Sequence, residues 1–395
     1  MNNKLLAKAV QDYINANLNA DVNQIALAKS PFEGISPAEL ATQIAAKKKS
    51  EKKLPTWFHA ENIYYPPVLS IEQTSSEITA KYKSKLAKGH TLIDVTGGFG
   101  IDSYYFSQKV KKVTHCEIND ELSAIAQHNA QALHATNIEF KAEDGIAYIQ
   151  KGDTTYDTIY VDPARRAEKG KVFMLIDCTP DVAGNLDILL EKSSRTIIKT
   201  APLLDISAGL SELTQVSEIH IVSIKNECKE LLWVIDKGYK NDTKIKAVTL
   251  NNETEKDFSF YRSSSNASVH FTNHLTIGEY LYEPDAALLK SGAFNLIGTT
   301  YGLLKLHPQT QLFSADGIKT DFPGRIFKIE SILNTGELKK EVNLKGNVIV
   351  RNYPAKPEDL VKKYKIKADQ TQFLIFTKTA NGENVILKAS IIQYY

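Results

Sequence analysis

The sequence predicts a doubly wound α/β domain set between a helical N-terminal region and a small α+β module at the C-terminus. Between Thr91 and about Lys237, short apolar runs alternate with helical stretches, the pattern of βαβ units building a parallel sheet. A glycine-rich turn, Thr96-Gly97-Gly98-Phe99-Gly100, follows the first of those runs without a spacer. The last two runs are joined only by Lys225-Asn226-Glu227-Cys228-Lys229, too few residues for a crossover helix, so the sheet should end in an antiparallel pair.

Leu5, Leu6, Val10, Tyr13 and Ile14 recur at three-and-four spacing, and Ser36-Pro37-Ala38-Glu39 has the form of a capped helix start with proline in the first turn. Lys53-Leu54-Pro55-Thr56-Trp57 interrupts that pattern. Tyr65-Pro66-Pro67 is an extended connector, because a residue before proline is driven out of the helical region. Strands are predicted at Thr91–Val95, Lys112–Glu117, Ile138–Ala142, Thr158–Val161, Thr196–Lys199, Glu218–Ile224 and Glu230–Asp236, with helices such as Asp120–Ala135 and Ala183–Lys192 in the gaps. Residues 240–275 are polar and turn-rich, either a linker or peripheral strands. Residues 276–330 hold a short helix at Asp285–Ser291 and a turn at Phe322-Pro323-Gly324-Arg325. From Gly346 the order reads strand, helix, strand, strand, with Val348–Arg351, Pro357–Tyr364 and a hairpin turn at Asn381-Gly382. The expected divisions are 1–80 for the helical region and connector, 81–240 for the sheet domain, 241–330 for a linker and small α+β (ferredoxin-like) segment, and 331–395 for the C-terminal module.

A chain of 395 residues exceeds one ordinary core. Hydrophobic content of 43% beside 24% charged residues is that of globular protein and excludes wholesale disorder. Cys116, Cys178 and Cys228 lie far apart, with no CxxC and no histidine at zinc spacing, so neither a disulfide framework nor a metal site is expected and a reducing compartment is. No apolar run is long enough for a signal-peptide core or a membrane span, so a soluble cytoplasmic chain with no membrane partner is expected; the oligomeric state is left open, a monomer being favoured. The net charge of +2 is too small for the whole molecule to attract polyanions. Two local runs differ: residues 47–53 carry five lysines against one glutamate, and Gly336–Lys367 carries nine Lys/Arg against four Asp/Glu. Each is ordinarily a solvated face, but two such runs flanking one domain fit a phosphate-backbone partner.

The chemistry is carried by four strand ends. In Leu92-Ile93-Asp94-Val95-Thr96-Gly97-Gly98-Phe99-Gly100 a strand ends in a carboxylate, and small residues fall at Thr96, Gly98 and Gly100, where a backbone can approach a nucleotide closely. A dinucleotide site is an alternative, since Gly98-x-Gly100-x-x-Ser103 brushes its pattern, as is a turn with no ligand. Asp94 weighs against a phosphate there, whereas a cationic sulfonium cofactor with an amino group tolerates it. Glu117 ends the second strand, where an acid can accept both ribose hydroxyls; a charge favoured near a helix start is the plainer reading. Glu143-Asp144-Gly145 follows the third strand, placing Asp144 toward an adenine amino group, although Asp-Gly is also a good turn. Tyr160-Val161-Asp162-Pro163-Ala164-Arg165-Arg166 follows the fourth, with Pro163 fixing the loop and Asp162 aimed into the crevice.

The series DVTGGFG, CEI, AEDG and VDPARR resembles class I S-adenosylmethionine-dependent methyltransferases, and the Asp-Pro-Ala-Arg form resembles their RNA-modifying members. Tyr282-Glu283-Pro284-Asp285, Lys305-Leu306-His307-Pro308, Asp321-Phe322-Pro323-Gly324-Arg325 and Val348-Ile349-Val350-Arg351-Asn352 make the whole similar to bacterial methyltransferases with a C-terminal THUMP-like domain, here 331–395. The resemblance spans roughly 40–395 and is strongest over 90–166. It implies a Rossmann-like seven-stranded methyltransferase sheet, S-adenosylmethionine as cofactor and RNA as partner. It implies cofactor contacts from Gln73 and Ser75 in Leu69-Ser70-Ile71-Glu72-Gln73-Thr74-Ser75, and from Asp94, Thr96, Gly98, Gly100, Glu117, Ile118, Asp144 and Gly145. Asp162, Pro163 and Arg165 are the expected catalytic residues, with Arg166, Lys199, Arg351 and Lys356 on the substrate.

Methyl transfer from a sulfonium is an in-line displacement, in which positioning the acceptor accounts for much of the catalysis. A carboxylate of ordinary basicity is too weak to deprotonate a poor acid, leaving hydrogen bonding as the role expected of Asp162. Pyrimidine C5 chemistry would need a thiolate, and the loop after the fifth strand, Lys199-Thr200-Ala201-Pro202-Leu203-Leu204-Asp205, has none. Cys178 is read as a helix or loop residue. The expected acceptor is therefore a nitrogen or a ribose oxygen. Lys199 would serve an oxygen, unless it is merely an exposed strand end. Trp57, Phe58 and Trp233 are read as packing. A methyltransferase of small molecules or proteins, and a non-catalytic RNA-binding module, are the competing readings.

Overall fold

The computed structural model describes residues 1–165, 174–251, 254–265, 267–272 and 274–395. They form two compact units, 1–217 with 232–240 and 218–231 with 241–395.

The first unit opens with helices Lys8–Ala16, Val22–Leu27 and Pro37–Lys53. The last of these starts as predicted, with Ser36 and Glu39 forming a reciprocal capping box and Pro37 in the first turn. The expected interruption is a single residue, Leu54, before a second short helix, Pro55–His59. Val68–Gln73 and Glu77–Ser84, not foreseen, add two further helices ahead of the sheet. Leu40, Ile44, Trp57, Tyr65 and Ile71 share one apolar core with Phe99, Ile101, Tyr105 and Ile125. The helical region therefore shares the core of the sheet domain.

The strands are β1 (Thr91–Asp94), β2 (Lys112–Cys116), β3 (Ile138–Lys141), β4 (Tyr156–Val161), β5 (Ser193–Thr200), β6 (Val216–Ile224) and β7 (Glu227–Asp236). In the first unit the order is β7-β5-β4-β1-β2-β3, and β1 to β5 pair in parallel. Their carboxyl ends consequently share one edge. β6 and β7 form the expected hairpin, of which both units include part, but it does not end the sheet, because a further strand, Lys244–Leu250, pairs with β6. The hairpin turn is shorter than expected: Lys225 and Asn226, at φ 50° and 63°, make the tight two-residue turn that suits right-twisted strands. Three helices behind the edge are started by side-chain caps, Asn119 for Asp120–Ala132, Asp144 for Gly145–Lys151 and Asp205 for Ile206–Glu212.

In the second unit β8 (Lys244–Leu250) pairs in parallel with β6, and β9 (Glu255–Tyr261) pairs antiparallel with β8, so this stretch holds strands rather than a bare linker. A further sheet comprises β10 (Tyr280–Pro284), β11 (Leu304–His307), β12 (Thr310–Ala315), β13 (Gly324–Leu333), β14 (Asn347–Val350), β15 (Gln372–Lys378) and β16 (Asn384–Gln393), in the order β11-β12-β10-β13-β16-β15-β14. The predicted turn at Phe322–Arg325 instead delivers Gly324 and Arg325 as the first residues of β13. Gly324 lies so close to β10 that a Cβ there would stand 2.2 Å from the Glu283 carbonyl oxygen. Asp285 caps a helix at Ala286–Ser291, and a second helix follows at Phe294–Tyr301. From β14 the order strand, helix (Pro357–Tyr364), strand, strand is the one read from sequence.

Candidate active site

A cavity of about 740 Å³ opens at the carboxyl edge of β1 to β5. Gln73, Ser75, Thr96, Gly98, Glu117, Ile118, Asp144, Gly145, Asp162, Pro163 and Lys199 all line it. Six segments far apart in sequence thus meet around one space. Asp94 and Gly100 are not among the lining residues.

The glycine-rich turn is held from behind. Gly97 donates to the Cys116 carbonyl at 2.8 Å, and a Cβ at Gly97 would stand 2.1 Å from the His115 ring. Gly98 is left-handed at φ 55° and donates to Glu117 Oε2 at 2.8 Å. Gly100, at φ 83°, starts the helix Ile101–Ser107. Asp94 was expected to reach the cofactor, but it is 1% exposed and turned inward. It accepts from the Ser103 hydroxyl at 2.7 Å and from the Thr96 N–H at 3.1 Å. Burial raises its carboxyl to about 7. Ser103 also lies 3.0 Å from His115 Nδ1. With the hydroxyl proton committed to Asp94, that ring nitrogen is the donor. Burial lowers His115 to about 3, so the ring is neutral. Asp94, Ser103 and His115 are thus the brace behind the turn.

Glu117 is aimed by two backbone N–H groups, Gly98 on Oε2 and Asn119 on Oε1, the latter at 2.8 Å. Ile118 beside it is 71% exposed, an apolar plate at the cavity wall. Asp144 spends Oδ1 on capping, 2.8 Å from the Ala147 N–H. Gly145 must be glycine, since a Cβ there would stand 2.3 Å from the Val95 carbonyl oxygen.

Across the cavity, the Asp162 N–H donates to Thr96 Oγ1 at 2.7 Å, tying the β4 loop to the glycine-rich turn. Its carboxylate pairs with Lys199 at 2.9 Å, both side chains partly exposed. Lys199 is therefore engaged at the site and is not a bare strand end. Ala164 and Arg165 pair with Thr179 and Cys178, so Thr179 and Pro180, not foreseen, line the cavity beside Pro163 and Ala164. Cys178 is fully buried in that bridge, away from the lining. Cys116 does line the cavity, but burial pushes its thiol up to about 12. Arg166 and the Arg165 side chain lie outside the described residues.

Sequence reading also missed Lys83, Asp102 and Tyr160. Lys83 is fully buried and paired with Asp102 at 2.9 Å, while Ser75 and Tyr160 donate to the same carboxylate at 2.8 and 3.0 Å. Trp57 and Trp233 are packed inside, the latter bonded to Thr200 at 3.0 Å. Arg351 and Lys356 belong to the second unit. Arg351 is committed to the buried Glu283, with NH2 2.6 Å from Oε1, and Arg325 holds the other oxygen through Nε at 2.7 Å. Lys356 is exposed, just ahead of the helix Pro357–Tyr364. Among the described residues no acidic, histidine and cysteine cluster could hold a metal, and no helix is long and apolar enough to cross a membrane.

Comparison with known proteins adds family relations. Residues 280–323 match a family described as a ferredoxin-like domain, and 324–389 one described as THUMP domain-like. A Porphyromonas gingivalis W83 protein of known crystal structure, assigned as a methyltransferase, is 31% identical, aligns over 99% of both chains and superposes with a TM-score of 0.86. An uncharacterized S-adenosylmethionine-dependent methyltransferase of Mycobacterium tuberculosis is 20% identical over 79% of this chain and 84% of its own. An uncharacterized RNA methyltransferase of Bacillus cereus is 33% identical over 29% of this chain and 28% of its own.

Proposed function

The chain belongs to the class I S-adenosylmethionine-dependent methyltransferases that carry a THUMP-like domain at the C-terminus, and from that premise we propose that it methylates RNA, at a nitrogen or a ribose oxygen. The observation that carries the reading is the Asp162–Lys199 pair, set across one cavity from Glu117, Ile118 and Asp144. The adenosine end fits the latter three: a carboxylate held by two N–H groups for the ribose, an apolar plate for the adenine face, and an acid near its amino group. When bound, S-adenosylmethionine would supply an electrophilic methyl group to the acceptor and leave as S-adenosylhomocysteine, with the acceptor's proton passing to solvent.

Asp162 accepts the N–H or O–H of the acceptor and orients its lone pair along the line of attack. Lys199 holds that carboxylate in place and offers an ammonium to charge developing on a ribose oxygen. Pro163 and Pro180 line the acceptor side and offer rigid faces on which a planar base can pack. Arg165 and Arg166 are assigned to an RNA phosphate or base. RNA as substrate draws further support from the THUMP-like match, the basic run Gly336–Lys367 and the partial likeness to the Bacillus cereus protein. Three dispersed cysteines, none of them in a disulfide, support a reducing, cytoplasmic setting for the reaction.

The test is incubation of the purified protein with methyl-labelled cofactor and total RNA from a deletion strain, followed by nucleoside mass spectrometry of deletion and complemented cells. One methylated nucleoside, absent on deletion and restored on complementation, is expected. Label that enters protein or small molecules but never RNA would refute the assignment.

A further inference from the structure

Resting on the reading of the cavity as an S-adenosylmethionine site, we propose that Ser75 and Asp102, the latter held by the buried Lys83, read the charged amino-acid end of the cofactor. The cluster joins three elements. Lys83 comes from the helix Glu77–Ser84, Asp102 from the first turn of Ile101–Ser107, and Tyr160 from β4. The Lys83 ammonium lies 2.9 Å from Asp102 Oδ1 and 3.1 Å from Oδ2. Ser75 and Tyr160 donate to Oδ2 as well. Ser75 and Asp102 line the cavity; Lys83 and Tyr160 are not among its lining residues.

An ion pair with a fully buried lysine is a poor device for stability, because desolvating both charges costs about as much as their attraction returns. Set into the wall of a polar cavity, it is better suited to recognition. The amino-acid end of the cofactor is itself a zwitterion, and the Asp102 carboxylate at the wall presents the charge opposite to its ammonium, with Lys83 behind it holding that carboxylate. Position agrees. The strand order β4-β1-β2-β3 sets Ser75 and Asp102 over β1 and β4, and Glu117 and Asp144 beyond β2 and β3. A ligand with its adenosine over the second pair extends its tail over the first. Asp94, by contrast, is not among the lining residues and is bonded to Ser103 and Thr96 behind the turn. Ser75 and Asp102 are thereby binding residues, and Lys83 and Tyr160 are positioning residues.

Calorimetric titration with S-adenosylhomocysteine, which carries the amino-acid end, and 5′-methylthioadenosine, which lacks it, separates this role from a structural one. Asp102→Asn should weaken S-adenosylhomocysteine by about 10- to 100-fold and methylthioadenosine by less than about threefold, as expected for a lost charge-assisted hydrogen bond. Ser75→Ala leaves the ion pair intact and keeps the test alive if Asp102→Asn fails to fold; it should show the same selectivity at about three- to tenfold. Equal losses for both ligands, or a selective loss in Asp94→Asn instead, would overturn the proposal. Wild-type protein that binds neither ligand would overturn the cofactor reading itself, a distinct result.

Discussion

At the scale of single residues, neighbouring acids have been given separate work by their surroundings. Glu117 faces the cavity with both oxygens steered by backbone N–H groups, so its loss should act on cofactor binding. Glu117→Ala is expected to weaken S-adenosylhomocysteine by about 10- to 100-fold, the worth of hydrogen bonds to a charged group. Asp162→Ala should leave that affinity nearly intact while turnover falls by about 100-fold or more, as for loss of a group that orients the acceptor. Titration calorimetry beside single-turnover kinetics separates the two, and the reverse pattern would mean the strand ends are misassigned. Asp94 makes a different prediction. Burial holds its carboxyl near 7, above that of an unfolded aspartate, so the folded chain takes up a proton between about pH 4 and pH 7. The stability linked to that proton is fully present at the acid end and is lost as pH rises through this window. Asn at position 94 can accept from the Thr96 N–H, donate to Ser103 and carries nothing to titrate. Urea midpoints of Asp94→Asn should therefore fall less between about pH 5 and pH 8 than those of the wild type. Parallel curves would show that Asp94 does not titrate there.

At the scale of elements, the glycine-rich turn shows two distinct demands for glycine. Gly98 is limited by conformation: its φ of 55° is left-handed, while a Cβ there would meet only the Thr96 carbonyl oxygen, at an ordinary contact distance of 3.9 Å. Gly97 is limited by contact with His115, a fully buried ring braced by Ser103 and packed 4.9 Å from the Phe140 ring. Gly97→Ala should cost about 1–3 kcal/mol of stability through overpacking. The cost should shrink when His115→Ala makes room, which a double-mutant cycle of thermal or denaturant unfolding measures; additive losses would place the strain elsewhere. The alternation of strands and helices, and the carboxylates after β2, β3 and β4, were legible because each motif is local. What escaped depends on distant partners. Lys83 sits in a lysine-rich stretch that reads as solvated surface, and its burial is decided by Asp102, nineteen positions away. Asp94 reads as a ligand because its strand ends at the site, yet Ser103 and Thr96 turn it inward. Glu227 and Lys229 read as loop because they are charged, although a two-residue turn carries them into β7. The helix Phe294–Tyr301 is rich in aromatic and β-branched residues, so its composition argues for a strand until Gly292, at φ 74°, separates it from the helix before.

At the scale of the whole molecule, the question is how a chain of net charge +2 engages RNA. A phosphate contact contributes through counterion release, so it appears as a slope in the salt dependence of binding as well as in affinity. Arg351 is a poor probe of such contact. Its guanidinium serves Glu283, whose side chain is 3% exposed, and removing it leaves a buried carboxylate with Arg325 alone. Arg351→Ala is therefore expected to lower the unfolding temperature whatever it does to RNA. Lys356, Lys362 and Lys363 are exposed at and along the helix Pro357–Tyr364. Their charges can be removed without unpairing a buried partner. Replacing the three by glutamine should leave the unfolding temperature unchanged, weaken RNA binding, and make the slope of log K against log salt shallower by about two, at roughly 0.7 per phosphate on a single strand. Filter binding at several salt concentrations measures both quantities. A triple variant with the wild-type slope would remove this helix from the RNA path and leave Gly336–Lys345 as the basic segment still to be tested.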